Sequence, residues 1–132
     1  MTPEEEALCA LCIWREARGE GPLGMQAVAW VIWNRHIKWG KTVYDVIMGP
    51  NQFTSMTVEK NPPSPPPGDP QYNQAFQIVS GIQSGAVNDP TNGSCYYYNP
   101  TTADSPWFVN HIVNDPENHP LMAKIGRQEF FA

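Results

Sequence analysis

The sequence predicts a mostly helical α+β domain, and three observations carry that prediction. Three long stretches combine apolar residues at helical spacing with recognisable start and stop signals. One aromatic run, Tyr96-Tyr97-Tyr98, follows a turn cluster and reads as a short β segment. Finally, 14 prolines and 10 glycines separate these elements with stiff, irregular loops. The 132 residues bound the chain to a single domain, 1–132, with room for one core. With 41% hydrophobic and 16% charged residues it is too apolar for a disordered tail and too lightly charged for a coiled coil.

The first helix starts at Thr2-Pro3-Glu4-Glu5, with Thr2 as N-cap, Pro3 at the first helical position and Glu5 completing a capping box. It is expected to run to about Arg18 and to be capped by Gly19. From Ala7 to Trp14 every residue is apolar or cysteine, which places this helix in enclosed surroundings. Cys9 and Cys12 form a Cys-x-x-Cys that raises zinc and redox readings. Two further ligands at recognisable spacing are missing, since Cys95 and the histidines His36, His111 and His119 are scattered, so a pair of buried core thiols is preferred. After a Gly19-Glu20-Gly21-Pro22 turn, Leu23 to Arg35 is the central helix, with nothing polar from Ala27 to Trp33.

Thr42-Val43-Tyr44-Asp45 reads as a cap and short helix ended by Gly49-Pro50, and residues 51–54 as a polar and aromatic loop beginning with Asn51. The segment from Asn61 to Pro70, with six prolines in ten residues, makes an extended surface excursion. Asp69-Pro70 then starts a third helix, Gln71 to about Ser84, ended by Gly85. In the aromatic run a strand would place Tyr96 and Tyr98 on one face and Tyr97 on the other. The tail from Ile125 to Phe131 is expected to dock on the core.

The formal charge of −5 and the absence of a basic run exclude nucleic acid as a partner. No apolar stretch reaches membrane-spanning length, and three cysteines do not make a complete disulfide framework. The start Met1-Thr2-Pro3-Glu4-Glu5-Glu6 is acidic where a leader carries positive charge, so the expectation is synthesis in the cytoplasm and release by another agent. No cofactor or metal is called for, and the chain is read as a monomer.

Glu16 is the candidate for chemistry. On a helix its neighbours three and four positions away are Cys12, Ile13, Gly19 and Glu20, none of them a cation. A carboxyl held against Cys12 and Ile13 has its charged form disfavoured, as a general acid working near neutral pH requires. The plainer reading is a solvated residue at a helix end.

The string Ile13-Trp14-Arg15-Glu16-Ala17-Arg18-Gly19-Glu20, followed by Gly24-Met25-Gln26-Ala27-Val28-Ala29 and Asn34-Arg35, resembles the opening of the SleB/CwlJ-type cell wall hydrolases. The likeness continues through Gln52-Phe53, Asp89-Pro90-Thr91-Asn92-Gly93 and Tyr96-Tyr97-Tyr98-Asn99-Pro100, and ends with Ile125-Gly126 before an aromatic pair. It implies a lysozyme-like domain acting on peptidoglycan glycan strands, with Glu16 in the position of the catalytic acid. Two features depart from the family pattern: Gln128-Glu129 stands where a histidine is usual, and the excursion from Asn61 to Pro70 is not a family feature. A bare catalytic domain of this kind resembles a phage endolysin released by a holin.

The resemblance implies that Glu16 protonates the glycosidic oxygen between N-acetylmuramic acid and N-acetylglucosamine. In a lytic transglycosylase the same carboxylate then accepts the C6 hydroxyl proton, whereas an inverting hydrolase needs a second carboxylate roughly 6.5 to 9.5 Å away. Asp89 is the first candidate for that second group, ahead of Glu20, which is assigned to its own loop's hydrogen bonding. Gln52, Phe53, Tyr97 and Asn99 are assigned to sugar binding or to orienting Glu16, because sugar rings stack on aromatics while their hydroxyls take directed hydrogen bonds. The alternatives are a glycan-binding module without turnover and a metal-dependent amidase. The second is disfavoured by the missing zinc-ligand spacing.

Overall fold

The computed structural model describes residues 1–50, 52–102 and 105–132, so Asn51, at the head of the expected loop, lies outside it. Helix α1 is Pro3–Ala17, and its capping box forms as the sequence requires. Thr2 Oγ1 accepts from the Glu5 amide at 3.1 Å and Glu5 Oε1 accepts from the Thr2 amide at 3.0 Å. The chain does not stop at Gly19. A 3₁₀ turn, Arg18–Glu20, continues from α1, and the left-handed break falls at Gly21, with φ of 78°. Helix α2 therefore begins earlier than expected and runs Gly21–Trp39, ending at Gly40 in the left-handed region. Pro22 lies in the first turn, where its missing amide hydrogen is no loss.

Helix α3 is Val43–Met48, capped by Thr42, and a single turn, α4, spans Thr54–Thr57. Residues 61–69 form neither helix nor strand, in keeping with their prolines. Asp69 caps α5, Pro70–Ser84, by accepting from the Tyr72 amide at 2.8 Å, and Gly85 ends it.

The β segment is larger than one strand. β1, Tyr96–Tyr98, pairs antiparallel with β3, Gln128–Phe131, which also pairs antiparallel with β2, Leu121–Ile125. The sheet order β1-β3-β2 makes the docked tail the middle strand. A short helix α6, Pro106–Phe108, and a π-helical turn, Val109–Val113, bridge β1 and β2.

The core confirms α2 as the central element. One side of it packs with α1 and α5 through Met25, Val28, Ala29 and Ile32, all at most 1% exposed. The other side carries Ala27 and Val31, which pack with Phe130 of β3 and with Tyr97, Ala123 and Ile125. Cys9 and Cys12 belong to the helical core at 1% and 0% exposure, and burial pushes the Cys9 thiol up to about 12 and the Cys12 thiol well up. They act there as small apolar groups. Among the described residues no cluster of His, Cys, Asp or Glu is assembled that could hold a metal ion, and no helix is long and apolar enough to cross a membrane.

Candidate active site

Glu16 sits in the last turn of α1 and opens on a cavity of about 390 Å³. Its carboxylate is held from two sides by neutral hydroxyls. Ser55 Oγ of α4 donates to Oε2 at 2.9 Å, and Tyr97 OH of β1 donates to Oε1 at 3.1 Å. This replaces the apolar cradle expected from the sequence, because Cys12 and Ile13 face the helical core at 0% exposure. Each carboxylate oxygen keeps capacity for one more hydrogen bond, and Glu16 lines the cavity where a ligand would supply it.

Tyr97 is placed by sheet pairing opposite Phe130, and its ring stacks on Phe130 with centroids 5.7 Å apart. The strand alternation is as predicted, since Tyr97 turns to α2 and Glu16 while Tyr96 and Tyr98 both meet Phe108. Burial first, and then the adjacent Glu16 carboxylate, push the Tyr97 phenol well above its ordinary range. Both effects favour the protonated phenol that donates to Glu16.

Gln52 and Phe53, between α3 and α4, also line the cavity. Phe53 is 1% exposed and forms part of the floor. Gln52 is fixed through its Oε1, which accepts from Arg35 Nη1 at 3.1 Å. Arg35 itself is buried in α2, donating from Nε to the Cys95 carbonyl at 2.7 Å, and burial lowers the pKa of its guanidinium. Its central carbon lies 5.0 Å from the Trp39 ring centre and 5.6 Å from those of Phe53 and Tyr96. No carboxylate among the described residues lies within 4.0 Å of it.

Two predicted site residues are elsewhere. Asp89 is absent from the cavity lining, and its carboxylate is fully engaged in building the 89–94 turn. Oδ1 accepts from the Thr91 amide and hydroxyl at 2.8 and 2.6 Å, while Oδ2 accepts from the Gly93 amide at 2.9 Å and Asn34 Nδ2 at 3.0 Å. Burial raises its pKa, but these four bonds outweigh burial and hold it below the ordinary carboxylate range. Asp89 thus builds this turn and does not line the cavity on which Glu16 opens. Asn99 likewise bends its own turn, with Oδ1 accepting from the Thr101 amide and hydroxyl at 2.9 and 2.6 Å, and it does not line the cavity.

Glu20 does not serve its own loop either. Its Oε1 accepts from Arg127 Nη2 at 2.8 Å and Nε at 3.1 Å, tying the 3₁₀ turn to the β2–β3 hairpin. Of the pair Gln128-Glu129, Gln128 is 8% exposed, and neither residue lines the cavity.

Sequence reasoning missed Ser55, Trp39, Ser105, Trp107 and Phe108 and gave Arg35 no site role, while it counted Tyr96 among three tyrosines able to offer rings to a sugar chain. All but Ser55 line the cavity. Trp107 is 60% exposed at the rim and stacks on His111 with centroids 4.7 Å apart. An exposed Trp-Phe pair after a proline was the available signal for the rim. Nothing local marked Ser55.

Fold and site together define a small α+β domain that presents a helix-end carboxylate to an aromatic groove. A family model described as Cell Wall Hydrolase matches residues 19–131, and the chain belongs to that family. Glu16 lies just before the matched span, so its place rests on the geometry above.

Spore cortex-lytic enzymes from Bacillus cereus and Bacillus subtilis are 34% and 35% identical over 128 residues, which cover 93% of this chain and 42% and 36% of those proteins. The chain thus spans about two fifths of the length of these relatives. The catalytic domain of the germination-specific lytic transglycosylase SleB from Bacillus anthracis superposes with a TM-score of 0.74 at 30% identity, covering 100% of this chain and 97% of that one. The Bacillus cereus SleB catalytic domain gives 0.71 at 31% identity, covering 100% and 92%. The mostly helical α+β architecture is therefore that of a SleB catalytic domain.

Proposed function

We propose that this chain is a peptidoglycan lytic transglycosylase that cleaves the β-1,4 bond between N-acetylmuramic acid and N-acetylglucosamine, with Glu16 as the general acid. One observation carries the reading: a carboxyl at the end of a buried helix, held by two neutral hydroxyls, opens on a cavity lined by aromatic rings. The names of the relatives, a spore cortex-lytic enzyme and a lytic transglycosylase, support the substrate class.

In this mechanism protonated Glu16 donates to the glycosidic oxygen as the bond to the muramic acid C1 breaks and an oxocarbenium-like state forms. The leaving glucosamine departs with that proton. Glu16, now the anion, accepts the proton of the muramic acid C6 hydroxyl while C6–O bonds to C1, closing a 1,6-anhydro ring and restoring the acid. No second carboxylate is needed. Glu16 is also the one carboxylate among the described cavity-lining residues, which favours this route over inverting hydrolysis.

Ser55 and Tyr97 fix the carboxyl's orientation in both protonation states, which is the preorganisation that catalysis by positioning needs. Arg35 holds the carbonyl end of Gln52, leaving its amide nitrogen to donate to a sugar oxygen. Trp39 and Trp107 supply flat apolar faces for the pyranose rings.

Mass spectrometry of digested peptidoglycan tests the reaction. Anhydro-muramic ends are expected, reducing ends would indicate hydrolysis, and released peptides would indicate an amidase. Glu16→Gln keeps the shape and removes the transferable proton, so it should abolish turbidity loss of purified peptidoglycan with little change in Tm. A well-folded Glu16→Gln protein that still clears the suspension would refute the assignment.

A further inference from the structure

We infer that Arg15 is a positioning residue for Glu16, acting through Ser55, and that the proline-rich segment 61–69 is the strap against which it is braced. The inference rests on Glu16 being the acid. Arg15 follows Trp14 in the last turn of α1 and does not line the cavity. Neighbouring residues of a helix project about 100° apart, so its side chain leaves the helix on a different line from that of Glu16. It makes no carboxylate pair among the described residues. Instead its guanidinium donates from Nη1 to the Ser55 carbonyl at 2.9 Å and to Met56 Sδ at 3.3 Å, and from Nε to the Pro63 carbonyl at 2.8 Å.

The Ser55 bond matters because α4 is a single turn, Thr54–Thr57, and one isolated turn does not hold itself. Its place must come from tertiary contacts. The same Ser55 whose carbonyl Arg15 grips is 7% exposed and donates its hydroxyl to Glu16 Oε2 at 2.9 Å. The grip runs from the arginine next to Glu16, through α4, and back to the Glu16 carboxylate.

Pro63 supplies the fixed end. It lies between Pro62 and Pro65-Pro66-Pro67, where the rings lock φ and the residues remaining in the segment have little conformational freedom. At the other end Asp69 Oδ2 accepts from Trp14 Nε1 at 2.9 Å. Three consecutive residues of α1 therefore have linked tasks: Trp14 pins the far end of the strap, Arg15 pins its near end and α4, and Glu16 faces the cavity. This gives the excursion, which departs from the family pattern, a task at the site.

The test is a double-mutant cycle on solubilised glycan strands with the full chain. Arg15→Met and Ser55→Ala are each expected to lower kcat about tenfold, as a misplaced catalytic group does, with KM within about twofold. The double variant should lose little more than either single one, because both remove the same support. Arg15→Lys should recover only part, since a point-like ammonium does not span two carbonyls as a planar fork does. Should Arg15→Met fail to fold, Arg15→Lys combined with Ser55→Ala gives the same cycle.

A folded Arg15→Met enzyme with full kcat, or losses that multiply in the double variant, would overturn the inference while an inactive Glu16→Gln protein leaves the acid assignment standing. An active Glu16→Gln protein removes both.

Discussion

At the residue scale the site divides into groups that meet the cavity and groups that shape the chain around it, and single substitutions separate the two. Tyr97→Phe deletes one of the two donors to Glu16 but keeps the ring on Phe130. It should lower kcat by about tenfold, the equivalent of one hydrogen bond of about 1.4 kcal/mol, while Tm stays within a few degrees.

Asp89→Asn should do the reverse. It leaves turn donors without a carboxylate and should cost about 1–3 kcal/mol of stability at neutral pH, with turnover per folded molecule retained. The pH dependence has a definite sign. The folded Asp89 carboxyl titrates below its unfolded value of about 3.9, so its stabilisation is present above that pH and is lost as pH falls through the lower folded value. The Tm difference between the native chain and Asp89→Asn should narrow below about pH 4, which thermal melts across that range would show.

These residues also mark how far the sequence could be read. Glu16 was visible because it ends an apolar helix within a specific string, whereas Asp89 and Asn99 sit in turn-forming sequence whose side chains were already committed to their own backbone. Ser55 and Arg35 could not be read, because their roles arise from partners 39 and 17 positions away.

At the scale of the element, side-chain caps and the glycine ends of α3 and α5 were legible, while the junction between α1 and α2 was not. Thr2, Thr42 and Asp69 cap as their residue types require, since capping is a local hydrogen bond. The break between α1 and α2 falls at Gly21 instead of Gly19 because a 3₁₀ turn carries the chain on, and Glu20 of that turn is tied to Arg127 of the β2–β3 hairpin. Gly126 has φ of 59°, and a Cβ there would stand 3.0 Å from Glu20 Oε2. Gly126→Ala should therefore cost roughly 1–2 kcal/mol or more, from left-handed strain with the Glu20 contact added. Chemical denaturation would measure it as a lower midpoint at unchanged slope.

At the scale of the molecule, α2 joins two structural halves, and the cavity depends on both. The helical side supplies Glu16 and, through α4, Ser55, while the sheet side supplies Tyr96 and Tyr97. Phe130 is the joint, at 0% exposure against Ala27 and Val31 and beneath the Tyr97 ring. Phe130→Ala should cost about 3–5 kcal/mol and, unlike Asp89→Asn, should also depress kcat, because Tyr97 loses the surface that orients its hydroxyl. The central place of α2 was readable from its apolar run, since a helix with no polar face has to be enclosed. The sheet was legible only as one strand, because the pairing partners of β1 come from 31 to 35 residues further along the chain.

The middle position of β3 also bears on biosynthesis. Residues 128–131 are synthesised after α1 to α6, β1 and β2, so the strand that joins the two outer strands of the sheet follows both of them in the chain. Until β3 pairs with β1, Tyr97 lacks both the strand that sets its register and the Phe130 ring it stacks on.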